Sequence, residues 1–280
     1  MSSSFEDPRR VLKRHGLWAK RSYSQNFLVS ERAVAAIAEA CALAADTPVI
    51  ELGAGCGTLT FALAERSAHV IAIERDPDML RVLEAERGER AVELVPGDAK
   101  QIDFAEYARR YGRRVVVAGN LPYAITGAIF RNLVAQAESV ERAVFMVQRE
   151  VRDRLVAEPD SGEYGALTIF TAQRFAIATV LHLPRTAFHP PPKVTSSVVA
   201  LTPLAAPRAP LTPEFETLVR AAFQARRKTL RNALAQSLGA EPTQRALQAA
   251  GIDGQRRGET LSIEEFGALA AALRHTQAGE

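Results

Sequence analysis

The feature that most restricts how this chain can fold is an alternation of two hydrophobic patterns between about residues 48 and 149. Short runs rich in β-branched residues (VIEL, HVIAIE, VELVPG, VVVAGN and RAVFMVQ) are bounded by Gly, Pro, Asp or Asn and read as strands. Between them LTFALAER, PDMLRVLEAER and TGAIFRNLVAQA carry apolar residues at helical spacing. Strands separated by helices imply parallel βαβ units, because a parallel return needs a crossover long enough to hold a helix. The expected class is therefore α/β, a doubly wound Rossmann-like sheet covered on both faces. A further helix around 165–175, then FAIATVLHL and SSVVALTPL, are placed to complete it.

After the sheet, TPLAAPRAPLTP is rich in proline and alanine and reads as a linker. Beyond it FETLVRAAFQARRKTLRNALAQSL, EPTQRALQAAG and SIEEFGALAAAL read as amphipathic helices. The expected division is a basic N-terminal extension at 1–22, a catalytic sheet domain at 23–204, a linker at 205–212 and a small all-helical domain at 213–280. A length of 280 residues, 47% of them apolar and 24% charged, suits one substantial domain and a smaller one. No apolar run approaches the ~18 residues that span a bilayer, and the charged N-terminus lacks a secretory pattern. Two cysteines, Cys41 and Cys56, are too few for a disulfide framework, and five scattered histidines show no metal-ligand spacing. The expectation is a cytoplasmic protein, monomeric, without metal or membrane.

Charge is uneven although the net value is only +3. Arg9, Arg10, Lys13, Arg14, Lys20 and Arg21 crowd the start of the chain, and Arg226, Arg227, Lys228 and Arg231 cluster near its last third. One such cluster is ordinarily a solvated face. Two of them flanking a catalytic domain fit a polyanionic partner better, since each neutralised phosphate releases counterions.

The strand VIEL runs into Gly53-Ala54-Gly55-Cys56-Gly57 and then a helix. Glycines let the backbone turn sharply and approach a ligand where a side chain would block it. Nucleotide-dependent dehydrogenases use a similar loop, although here the spacing is G-x-G-x-G rather than G-x-G-x-x-G. Glu51 precedes the glycines, Glu74 ends the next strand and Asp98 follows the one after, so three acids fall on the carboxyl edge where such sheets bind ligands. Glu74 is placed to take ribose hydroxyls and Asp98 an adenine amine. Three carboxylates would repel a pyrophosphate and attract a sulfonium, which favours S-adenosylmethionine over a dinucleotide.

The strand VVVAGN ends in Asn120-Leu121-Pro122-Tyr123. The exocyclic amine of adenine is a poor nucleophile because its lone pair is delocalised into the ring. The Asn120 amide oxygen and a carbonyl near Leu121 could accept hydrogen bonds from that amine and hold its lone pair free. Pro122 stiffens the loop and removes a competing N–H, and Tyr123 offers a stacking face worth about 1–3 kcal/mol. No strong base is needed, because the methylated amine is acidic.

N-L-P-Y after the fourth strand, with the glycine loop after the first, resembles the rRNA adenine N6-dimethyltransferase family. Gln25-Asn26-Phe27-Leu28 resembles that family's Q-[NH]-F-L segment, and Phe188-His189-Pro190-Pro191-Pro192-Lys193-Val194 its F-x-P-x-P-K-V segment. Phe223 with Arg226 to Asn232 resembles its basic C-terminal helix. The resemblance covers about residue 20 to the end. It implies a class I methyltransferase sheet, with Gln25, Asn26 and Leu28 bordering the methionine end of the cofactor. It also implies Phe188 sandwiching a flipped base against Tyr123, and Arg226, Arg227, Lys228 and Arg231 on RNA. The implied reaction is dimethylation of two adjacent adenosines in a hairpin near the 3′ end of small-subunit rRNA, with that RNA and its ribosomal particle as partners. Ala124 and Thr195 depart from residues common in the family and touch the loops carrying Tyr123 and Phe188. Large-subunit methylation of the macrolide-resistance type, a non-catalytic RNA-binding assembly factor and a DNA adenine methyltransferase are the alternatives. Lys193 either contacts phosphate or is simply exposed, and Cys56 reads as a small filler. Trp18, the one tryptophan, has Lys20 and Arg21 beside it, which could place it near RNA, but packing against the sheet is the favoured expectation.

Overall fold

The computed structural model describes residues 5–278, the side chains of Arg21, Gln277 and Ala278 excepted. The expected role of Arg21 and the first four residues of the N-terminal extension lie outside the described residues. Two compact units are present. One takes the chain up to Arg152 and then Ala176–Pro203; the other takes Asp153–Phe175 and the chain from Leu204.

The first unit opens with α1 (Pro8–Arg14), capped by the Asp7 carboxylate on the Arg9 N–H and started by a proline whose missing donor costs nothing there. Val11 and Leu12 are buried against Phe27, Cys56, Met79 and Val82. The N-terminal segment is thus part of the fold, a correction to its reading as a basic extension. Next come β1 (Phe27–Leu28) and α2 (Glu31–Ala40), the latter capped by Ser30. The alternation then runs β2 (Val49–Leu52), α3 (Thr58–Ala64), β3 (Val70–Glu74), α4 (Pro77–Glu86), β4 (Val92–Pro96), α5 (Phe104–Tyr111), β5 (Val115–Asn120), α6 (Thr126–Ala135) and β6 (Val140–Gln148). β7 (Phe175–Leu183), β8 (Phe188–His189) and β9 (Ser196–Pro203) complete the strands.

Among the described residues seven strands form one sheet in the order β4-β3-β2-β5-β6-β9-β7. Every side chain of β2 and β3 is buried, as expected of strands covered on both faces. The five strands from β4 across to β6 run parallel, and the order turns outward in both directions between β2 and β5. That switch point opens a crevice at the carboxyl edge. β9 is antiparallel to β6, with Ala143 opposite Leu201 and Gln148 opposite Ser196, so the sheet is mixed rather than purely parallel. No α-helix lies between Leu183 and Ser196 to make a crossover. Leu28 pairs with Phe188 in a separate two-stranded ribbon of β1 and β8. The core joins α2 and α3 to the sheet through Val34, Ile37, Leu63, Val49, Val70 and Val116.

The chain enters the second unit within α7 (Arg149–Leu155) and adds α8 (Ala166–Ala172). After β9 it adds α9 (Pro213–Gln224), α10 (Leu230–Leu238), α11 (Ala240–Ala250) and α12 (Ile263–Ala278). Residues 153–175, read from sequence as part of the sheet domain, belong here because Tyr164 and Ile169 bury against Phe215, Leu261 and Phe266. Tyr164 Oη also donates to the Leu261 carbonyl at 2.9 Å. The proline-rich stretch is pinned: Ala209 is buried, and the Arg208 N–H donates to the Gln173 carbonyl at 2.8 Å. The long basic helix expected across 215–238 is broken at 225–229, which puts Arg226, Arg227 and Lys228 in a turn between α9 and α10.

Candidate active site

A cavity of about 310 Å³ opens at the carboxyl edge of β2, β3, β4 and β5. Of the residues read from sequence as cofactor contacts, Gln25, Asn26, Leu28, Glu51, Gly53, Gly55, Glu74, Asp98 and Asn120 line it; Gly57 does not. Leu121, Pro122 and Tyr123 line it too.

The floor is the turn from β2 into α3. Gly53, Gly55 and Gly57 have φ of 78°, 58° and 91°, a region that side chains with a Cβ seldom occupy. A Cβ on Gly55 would meet the Phe27 ring at 3.2 Å, so that glycine keeps the cradle open. Gly57 instead starts α3 under the Phe61 ring, and its role is to shape the turn.

Each acid has partners that sequence does not show. Glu74 Oε2 accepts from the Gly55 N–H at 2.7 Å, and Oε1 accepts from the N–H groups of Arg75 and Asp76. Three donors tie the carboxylate to the glycine loop and leave lone-pair capacity on Oε2 for a ligand hydroxyl. Asp98 accepts from the Lys100 N–H at 3.1 Å and faces its ammonium. Partial burial works against ionising Asp98, but those Lys100 contacts outweigh it and hold the carboxyl below the usual carboxylate range. Glu51 is the outlier: it is buried, with the Thr60 hydroxyl donating to it at 2.5 Å. Burial, helped by the Glu74 charge and only partly offset by Thr60, pushes its carboxyl up to about 8. Burial therefore drives Glu51 toward its neutral form at neutral pH, while the Lys100 contacts keep Asp98 charged. Burial likewise pushes the Cys56 thiol up to about 11, as suits a filler.

At the end of β5, Asn120 Nδ2 donates to the Asn26 carbonyl at 2.8 Å. That bond fixes the amide so that Oδ1 is the end left for an incoming donor. The Leu121 N–H is held by the Met146 carbonyl at 3.1 Å, while the side chain is buried. Tyr123 is partly exposed, and its hydroxyl shares a 3.1 Å hydrogen bond with Ser196 at the start of β9. Burial raises the Tyr123 hydroxyl above its ordinary pKa against that bond, so it stays protonated.

Three expectations change. Phe188 is 3% exposed, packs in the sheet core with Leu28 and Leu183, and does not line the cavity. It sits opposite Leu28 in the ribbon of β1 and β8. Gln25 lines the cavity, yet both ends of its amide are occupied: Nε2 donates to Asp76 and Oε1 accepts from the Lys20 N–H, each at 2.8 Å. Lys20 Nζ bonds Asp76 at 2.7 Å and also Asp78, so fully buried Asp76 fastens the 20–28 segment beside the cavity. Sequence gives Asp76 no role and Lys20 only that of a surface charge; the Asp-Pro step at the start of α4 is a capping signal, and nothing in it marks a partner 56 residues away. In the helical unit Arg226 is already engaged, with Glu259 at 2.9 Å and the Ser161 carbonyl, whereas Arg227, Lys228 and Arg231 are exposed without an ion pair among the described residues. Lys193 is exposed as well.

Strand order, switch point and an edge that presents carboxylates rather than phosphate-binding cations define the class I methyltransferase fold. Similarity to known proteins narrows the class. A model of the family described as "Ribosomal RNA adenine dimethylase" matches residues 16–274, and the chain belongs to that family. It is 49% identical over 273 residues to a Myxococcus xanthus protein named ribosomal RNA small subunit methyltransferase A, covering 96% of this chain and 95% of that one. A protein of the same name from Anaeromyxobacter dehalogenans is 44% identical over 98% of this chain and 100% of its own length. Among solved structures, a dimethyladenosine transferase from Plasmodium falciparum superposes with a TM-score of 0.76 at 25% identity, over 90% of this chain and 98% of that one. The 23S rRNA methyltransferase ErmE gives 0.65 at 27% identity, over 89% and 100%.

Proposed function

We propose that this chain moves methyl groups from S-adenosylmethionine to the N6 amines of two adjacent adenosines in a hairpin near the 3′ end of small-subunit rRNA, two to each, on the ribosomal particle. The observation that carries the reading is Asn120, whose amide nitrogen is tied to the Asn26 carbonyl so that its oxygen faces the cavity as an acceptor. Near-full-length similarity to proteins named for the small subunit supports that target over the large one.

The residues present fit the methyl donor. Glu74 would take a ribose hydroxyl, Asp98 the adenine amine, and Gly53 and Gly55 allow close backbone approach. When bound, S-adenosylmethionine supplies an electrophilic methyl group. The chain's part is to hold the nucleophile. Asn120 Oδ1 and the Leu121 carbonyl accept the two N–H bonds of the target amine and turn its lone pair out of conjugation. Tyr123, steadied by Ser196, stacks on a base that has left its helix. The lone pair would form the new N–C bond as the methyl's bond to the sulfonium sulfur breaks, releasing S-adenosylhomocysteine, and the amine's proton would leave to solvent. One N–H then remains, enough for a single acceptor to present the amine a second time. Rate comes from positioning and a preorganised field.

The test is methyl transfer from radiolabelled S-adenosylmethionine to unmodified small- and large-subunit particles, followed by digestion to nucleosides. Label is expected as N6,N6-dimethyladenosine in the small-subunit RNA. Asn120→Ala should bind the donor like the parent and turn over at least about 100-fold more slowly. Label in large-subunit RNA alone would move the chain to the resistance type. Donor binding with no label would point to an assembly factor, and loss of donor affinity in the variant would overturn the role of Asn120.

A further inference from the structure

Trp18 contradicts its sequence expectation: the indole is 75% exposed instead of packed against the sheet. Looseness does not explain this, because the backbone is pinned on both sides. Leu17 and Ala19 pack against the cluster of Val11, Leu12, Phe27 and Met79, and the Leu17 N–H donates to the Leu12 carbonyl at 2.9 Å. Lys20, two residues on, is held by buried Asp76. The fold packs the partly buried Leu17 and Ala19 on either side of Trp18 and leaves the largest apolar side chain of the segment in water.

The charge beside it is specific in kind. α1 leads into Trp18 through His15 and Gly16, and its outer face carries four basic residues. Arg9 and Arg14 are paired, with Asp7 and with Glu6 and Glu86. Arg10 and Lys13, also exposed, have no ion-pair partner among the described residues. An indole face with two unpaired cations close by in the chain matches a nucleotide, which offers a flat ring and a phosphate. An apolar protein surface would have to desolvate those cations without return. Four residues further on, Ser22 begins the segment that lines the cavity.

We propose that Trp18 is a stacking platform for an unpaired base of the RNA substrate outside the target pocket, with Arg10 and Lys13 taking neighbouring phosphates. This rests on the reading that RNA is the substrate, and it adds a contact surface on the sheet unit distinct from the Tyr123 loop.

Trp18 is the one tryptophan in the chain, so its emission reports on this site alone. The probe is a synthetic unmethylated small-subunit hairpin with single-stranded flanks, titrated in the presence of S-adenosylhomocysteine while emission and filter retention are followed. Saturable quenching is expected. Trp18→Ala should weaken RNA binding by about 5- to 100-fold with donor affinity unchanged, and Trp18→Phe should recover most of the loss. Retention of RNA without quenching, or an unchanged affinity in Trp18→Ala, would overturn the platform while leaving the methyltransferase reading intact. No RNA retained at any concentration, with no methyl transfer to particles, would overturn both.

Discussion

Glu51 shows how much a single residue's role depends on what surrounds it. In sequence it is one of three acids at strand ends; in the fold it is buried beside Thr60 and titrates near 8, against an ordinary value of 4.5. A carboxyl whose folded value is raised contributes stability that is full below its unfolded value and lost as pH rises through the folded one. Glu51→Gln keeps the shape and cannot titrate. In thermal melts without cofactor, the parent should therefore lose stability relative to Glu51→Gln between its unfolded value of 4.5 and its folded value of about 8, on the order of a few kcal/mol. A constant difference across that range would mean that Glu51 does not ionise in the folded chain. Legibility in the sequence also divides residue by residue. Asn120, Leu121, Pro122 and the cavity glycines could be read directly, because their chemistry is local to a strand end. Gln25 and Phe188 could not, since their surroundings are supplied by Asp76 and Leu28, far away in the chain.

At the scale of elements, the turn into α3 is the most constrained piece of the site. A Cβ on Gly57 would lie 2.5 Å from the Phe61 ring and 3.1 Å from Leu83, at a φ of 91°. Gly57→Ala should cost about 1–3 kcal/mol, read as a lower Tm, and weaken donor binding because the cradle starts at this turn. A parent-like Tm would show that the turn can re-form around the methyl group. The strands from β2 to β6 and the helices α3, α4 and α6 follow from hydrophobic period alone. α5 was missed even though Phe104, Tyr107, Ala108 and Tyr111 recur at helical spacing between an Asp103 cap and a Gly112 stop; it is only eight residues long, and Phe104 is its one fully buried residue. The break between α9 and α10 was equally hidden: Ala225 to Thr229 hold no glycine or proline, and the turn is fixed by Arg226 reaching Glu259 and by the Leu230 N–H on the Arg256 carbonyl.

For the whole molecule the question is which charges meet RNA. Net charge is small, and much of the basic surface is already paired internally, as at Arg14, Lys20 and Arg226. Replacing Arg227, Lys228 and Arg231 together by alanine should weaken RNA binding and flatten the dependence of log K on log salt by roughly 0.7–0.9 for each phosphate that is no longer neutralised. Arg226→Ala should leave that slope unchanged, since its guanidinium serves Glu259. A triple variant with the parent's slope would take this turn off the RNA surface.

By itself the sequence determined the alternation of strands and helices, the glycine turn and the N-L-P-Y strand end, because each depends on residues within a few positions of one another. Only the tertiary structure decided that Glu51 is buried and its carboxyl pushed up, that Asp76 fastens the 20–28 segment, that Phe188 is core and that Trp18 faces solvent. It also decided that 153–175 joins the helical unit, because the faces that bury Tyr164 and Ile169 come from Phe215, Leu261 and Phe266, far later in the chain. Burial and pairing are properties of distant neighbours, and no local pattern encodes which of them will meet.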